Sequence, residues 1–230
     1  MKIDILARGA FTSALVHLQP GERFQSESSA MFRASSNIDI DVTTRPKGGA
    51  GGVLGGLKRL IAGDSFFLST YTVDNGQAGE VGLSPTLQGE VRHVAVSRAA
   101  GWTCAGGSYL GSDAHLSLDL EFQGLKGLFS GERLFFVKVT GEGDLLVNAY
   151  GHITEVEVDG ELIVDTGHVV AFESQLDYTL SKVAGSWVQS YLAGEGFVLH
   201  FKGHGKLLVQ SHNPKEFGGL LGRHLPPRRS

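Results

Sequence analysis

Residues 194–214 read GEGFVLHFKGHGKLLVQSHNP and hold the densest set of side chains in this sequence that could do chemistry. His200, His204 and His212 offer imidazoles, and Gly203-His204-Gly205-Lys206 sets a lysine behind two glycines. Two chemistries fit those types: a metal site and a phosphate cradle. A phosphate loop needs G-x-x-x-x-G-K-[ST], so that backbone N–H groups and the lysine converge on phosphate oxygens. Here Leu207 follows Lys206, and His200 stands where the first glycine is required. The glycine-rich run at 48–59 fails as well, with Leu57 between Gly56 and Lys58 and Leu54 closing what would be a dinucleotide fingerprint. Imidazoles four residues apart share one face of a helix, but Gly203 and Gly205 interrupt any helix here. His200, His204 and His212 are therefore the metal candidates, and a place on a turn surface is the expectation for them.

Other residue types are less suggestive. Asp39 and Asp41, and likewise Asp119 and Glu121, stand two apart in alternating runs, so each pair shares one face of a strand. Calcium wants six to eight oxygens, usually from a loop, which leaves solvated outer faces as the reading. Ser108 in AGGSYLG lacks the second glycine of a nucleophile elbow. Cys104 in WTCAGG reads as a buried structural thiol. No converging catalytic set emerges, so neither an enzyme nor a cofactor is expected.

Bulk composition narrows the partners. Twenty basic and twenty-four acidic residues give a net charge of -4, which offers no general attraction for a nucleic-acid backbone. Arg223, Arg228 and Arg229 concentrate positive charge at 215–230, read as a flexible basic tail. MKIDILARGAF lacks the apolar region of a secretory signal, and no run approaches the roughly 20 apolar residues of a membrane helix. A single cysteine forbids an intrachain disulfide. A soluble cytoplasmic protein is the expectation.

The elements that must position these residues are strands. NIDIDV, HLSLDLEF, LLVNA and ITEVEV alternate apolar with polar, the period-two signature of half-buried strands. Thirty-three glycines, about twice the roughly 7% usual share, ask for many turns. GLKRLIAGDSFFL at 56–68 recurs as GLKGLFSGERLFF at 124–136 and more faintly as YLAGEGFVL at 191–199. Each copy continues as strand, glycine turn, strand, so Phe197 to Phe201 and Lys206 to Gln210 read as the two arms of a hairpin reversed at Gly203 and Gly205. The expected architecture is all-β: one compact domain over 1–214 made of three repeated β-sandwich units, about 1–90, 91–158 and 159–214. Such units cannot bury much alone, and packing around a pseudo-threefold axis would cover their apolar faces.

These stretches resemble the altered-inheritance-of-mitochondria, or Aim-twenty-four, family, which has bacterial members. The matching segments are GGVLGGLKRLIAGDSFFLSTYT, FQGLKGLFSGERLFFVKVTGEGDLLVNAYG and GEGFVLHFKGHGKLLVQSHNP, spread over about 12–214. The resemblance implies a triplicated β-sandwich like the tryptophan RNA-binding attenuator protein (TRAP-like) fold, in a homo-oligomer, a trimer being favoured. Eukaryotic relatives are associated with mitochondrial inner-membrane organisation. The family transfers no catalytic residues, and its likeness to an RNA binder is analogy.

The insertion AGGVLGGLKRLIAG carries Val53, Leu54, Leu57, Leu60 and Ile61 at helical spacing. They would either cover the core or form a subunit contact, since exposed apolar patches mark interfaces. The functional expectation is a non-enzymatic, self-associating scaffold or interaction module. The alternatives are a small-ligand binder with its site between repeats and a membrane-surface-associated protein.

Overall fold

A computed structural model describes residues 1–9, 11–43, 67–73, 76–123, 134–182 and 197–226. Val53, Leu54, Leu57, Leu60 and Ile61 lie outside them, as do Arg228 and Arg229. The first stretch of chain forms β1 (Lys2–Leu6), β2 (Ser13–Leu18), β3 (Arg23–Glu27), β4 (Met31–Ala34), β5 (Ile38–Thr43), β6 (Leu68–Val73) and β7 (Gly79–Leu83). The middle adds β8 (Val91–Val96), β9 (Trp102–Ala105), β10 (Tyr109–Asp113), β11 (Ser117–Gln123), β12 (Leu134–Thr140) and β13 (Gly143–Asn148). The last part forms β14 (Ile153–Asp165), a single 3-10 turn (Thr166–His168), β15 (Val169–Glu173), β16 (Asp177–Lys182), β17 (Phe197–Gln210) and helix α1 (Pro214–Gly222).

The fold is all-β, in curled antiparallel sheets. One sheet runs β1-β2-β7-β4, a second β5-β6-β3-β10-β13-β8, and a third β11-β12-β9-β15-β17-β14 with β16 also on β17. Alternation sets the faces. On β11, Leu118 is buried and Asp119 exposed, while Asp39 and Asp41 point into solvent from β5. Glu121 faces Lys138 at 3.9 Å. The apolar faces fill three clusters, around Trp102 with Val137 and Leu145, around Phe24 with Val81 and Leu146, and around Phe172 with Phe201 and Leu207.

The same kind of bulge interrupts β4 on β7 at Met31/Arg33, β10 on β13 at Tyr109/Gly111, and β15 on β17 at Val169/Ala171. Each bulge frees one residue, which are Phe32, Leu110 and Val170.

The hairpin expected at 197–210 is corrected by the register. β17 is one strand of fourteen residues, paired with β14 from Ile153↔Gln210 to Asp165↔Val198. Gly203 and Gly160 face each other across that ladder, with φ of 116° and 97°. Positive φ at both lets the two strands bend together, so β17 meets β16 with its first half and β15 with its second. The glycines turn a corner of the sheet and do not reverse the chain.

Residues 214–222, within the segment assigned to the tail apart from Pro214, form α1. Asn213 Oδ1 caps it by accepting from Lys215 N at 3.0 Å, and Pro214 occupies the first turn, where its missing N–H costs nothing.

Glu90 ties the middle of the chain to the start of β14. Its carboxylate accepts from Ile153 N at 2.8 Å and from Arg92 Nη2 at 2.8 Å, and lies 2.6 Å from His152 Nδ1. Burial disfavours the charge, but the Ile153 N–H and the Arg92 guanidinium outweigh it and hold the pKa below the ordinary 4.5. A depressed carboxylate stabilises the fold fully above its unfolded pKa and loses that contribution as pH falls through the folded one. Glu90→Gln should therefore cost about 1.5–3 kcal/mol at neutral pH. In urea melts the gap from the unaltered protein should narrow as pH drops below 4.5.

Candidate functional site

Turns at 27–30, 105–108 and 166–169 line one cleft of about 440 Å³, together with the segments 84–87, 148–150 and 210–215. Two of those turns close alike, with Ala30 N on Glu27 O at 3.3 Å and Ser108 N on Ala105 O at 3.0 Å. In the third, Asp165 Oδ1 accepts from Gly167 N at 2.8 Å. Close packing demands glycine here. A Cβ on Gly106 would sit 2.5 Å from the Phe135 ring, and one on Gly167 2.2 Å from Asn213 Nδ2.

One wall is held rigid by Gln210, which donates through Nε2 to Gly167 O at 2.8 Å and accepts at Oε1 from Tyr150 N at 2.7 Å. Leu87, Leu110, Phe135 and Val169 give the cleft an apolar lining. Two acceptors along it are unmet. Among the described residues, no side chain or backbone group pairs with the Glu27 carboxylate, and burial raises its pKa. Asn148 donates from Nδ2 to Gly107 O at 3.0 Å, while its Oδ1 is enclosed without a partner. Nearby Cys104 is fully buried and its thiol is pushed up to about 12, so it stays protonated and unreactive at neutral pH.

The sequence candidates lie elsewhere. His204 is exposed beside Asp159, with 2.8 Å between Nδ1 and Oδ1. His200 sits on β17 between Ile163 and Thr179. His212 bonds Ser211 Oγ at 2.8 Å and meets the Tyr150 ring edge-to-face, with centroids 5.2 Å apart. Among the described residues, no three His, Cys, Asp or Glu side chains are grouped to hold a metal ion. Lys206 reaches Glu155 Oε1 across the β14/β17 ladder at 2.8 Å, and that hydrogen bond raises its pKa. Its lysine chemistry is that of a cross-strand ion pair.

Glu27 and Asn148 escape sequence reasoning because their setting depends on contacts from distant segments. A signal was nonetheless present: Glu27 precedes its turn where Ala105 precedes the matching one, a carboxylate in place of a methyl group.

A second feature is a pair of unmatched strand edges. β3 lies against β10 and β9 against β15, in registers that include Ser112↔Gln25 and Phe172↔Thr103. By contrast, among the described residues β4 pairs only with β7, and residues 160–165 of β14 pair only with β17. Phe32 on β4 is 50% exposed and Ile163 on β14 59%, whereas Leu110 and Val170 in the other two bulges are 2% and 0% exposed.

A family model described as Mitochondrial biogenesis AIM24 matches residues 3–212. An uncharacterized protein of Streptococcus pyogenes serotype M6 is 31% identical over 231 residues, covering 98% of this chain and 92% of that protein. The X-ray crystal structure of protein SPYM3_0169 from Streptococcus pyogenes superposes with a TM-score of 0.81 at 26% identity, covering 97% of this chain and 99% of the other. No helix among the described residues is long and apolar enough to cross a membrane.

Proposed function

Because the chain belongs to the Mitochondrial biogenesis AIM24 family, we propose that it is a non-enzymatic interaction module of three TRAP-like units that assembles head to tail with further copies of itself. The reading rests on the two unmatched edges. Each proposed unit has one three-stranded layer like β5-β6-β3 and another like β2-β7-β4, and the first kind joins the second kind of the next unit. Two such joints lie inside the chain. The third would need β14, at Gly160–Asp165, to meet β4, and these belong to different sheets.

Leu110 and Val170 are buried in the two internal joints, and Phe32 occupies the same place in a bulge that no further strand among the described residues covers. By the register of those joints, Ala34 of one copy would stand opposite Ile163 of the next. A head-to-tail contact of this kind is heterologous and closes into a ring when the rotation permits. The family resemblance favours three copies.

Size-exclusion chromatography with light scattering tests the reading. Roughly three times the 24.5 kDa chain mass is expected. A strict monomer at all concentrations would overturn self-association.

A further inference from the structure

We infer that the cleft between the three turns binds a small molecule with an apolar body and an ammonium group, with the Glu27 carboxylate as the counter-charge. Three observations carry it. The cleft, at about 440 Å³, is within the range that holds metabolite-sized ligands. Its lining is apolar on several sides, from Leu87, Leu110, Phe135 and Val169. The Glu27 carboxylate, which lines it, has no hydrogen-bond or ion-pair partner among the described residues.

An unmet carboxylate selects a ligand that donates. A negatively charged ligand would meet Glu27 as a like charge, inside a partly desolvated cleft where repulsion is poorly screened, while Lys215, the cation among the lining residues, sits at the start of α1 and has an interaction of its own. A bare divalent cation would find one carboxylate where calcium wants six to eight oxygens. An ammonium supplies up to three N–H donors and a full positive charge, and its apolar body covers the lining. Leaving a half-buried carboxylate unpaired costs stability in the free protein. That cost is understandable where a ligand cancels it, as binding sites commonly hold groups in environments that disfavour them.

Calorimetric titration of the full chain with 2-phenylethylammonium, and in parallel with 3-phenylpropionate, tests the inference. The ammonium should saturate the protein at a single site in the millimolar range or tighter, and the carboxylate should not bind. Glu27→Gln should weaken the ammonium about tenfold or more, the loss expected for a charge-assisted hydrogen bond. The same variant should melt at an equal or higher temperature than the unaltered protein, because it removes a desolvated charge. Equal binding of the two probes, retained affinity in Glu27→Gln, a lowered melting point in that variant, or no saturation by the ammonium up to about 10 mM would each overturn the proposal.

Discussion

Gly89→Ala should unfold most of the protein or lower its stability by about 4 kcal/mol or more, at the extreme of what single substitutions do. A Cβ at this position would lie 1.5 Å from Ala149 O, closer than any non-bonded contact, and the obstacle is backbone that cannot rotate away. Relief requires separating the chain at 88–90 from the chain at 149–151. That would break the parallel bridge between Gly89 and Gly151. It would also loosen Glu90 N on Gly151 O at 2.8 Å, Gly151 N on Gln88 O at 3.0 Å and Thr12 N on Gly89 O at 3.1 Å. These bonds gather the starts of β2, β8 and β14 at one point, so the damage reaches all three sheets. A typical domain has only about 5–15 kcal/mol in hand. Gly160→Ala is the informative contrast: a Cβ there meets nothing within 4 Å, and only its φ of 97° resists the change. Urea melts of the two variants should separate steric exclusion from backbone preference, with Gly160→Ala much the milder.

Phe32→Asp should convert the assembly to monomers without unfolding them. Phe32 lies over Gly82, where an added Cβ would meet its ring at 2.6 Å, yet half of it faces solvent. Substitution of so exposed a side chain usually changes monomer stability by no more than about 0.5 kcal/mol. In the proposed joint the same ring would be buried as Leu110 and Val170 are, and aspartate there would bring an unpaired charge into an apolar contact. Aromatic anchors of this kind commonly contribute about 2 kcal/mol or more, roughly a thirtyfold change in dissociation constant for each contact. Leu220→Asp on the exposed side of α1 serves as the control. Light scattering should find the first variant monomeric and the second assembled, with both melting near the parent.

How far the sequence discloses this molecule depends on the range of the forces involved. Alternation in HLSLDLEF and ITEVEV located β11 and the first half of β14, because a strand's two faces are written at period two. The Gly203-His204-Gly205 stretch misled for a physical reason: glycine with positive φ serves a hairpin reversal and a bend within a strand equally well, and only the partner strand decides between them. Its partner, β14, carries the matching Gly160 forty-three residues away. His200 and His204, close in sequence, end on either side of that bend. Glu27 and Phe32 were silent for a related reason. Each is an ordinary residue on a short strand, and what marks it is a partner missing among the described residues: an ion or donor for Glu27, a third strand for Phe32. The apolar run from Val53 to Ile61 lies outside the described residues, so the interface read here comes from different residues on β4 and β14.

The head-to-tail joint is tested most directly by cross-linking. Directly opposed residues of antiparallel strands have Cα atoms about 4.5–5.5 Å apart, within reach of a disulfide. Ala34→Cys and Ile163→Cys should be made as separate proteins, each with one new thiol, and oxidised alone and as a mixture. Cys104 is fully buried and stays out of the reaction. A covalent dimer that forms in the mixture and in neither protein alone is the predicted result. A mixture that yields no such dimer, from proteins that light scattering finds assembled, would contradict the joint.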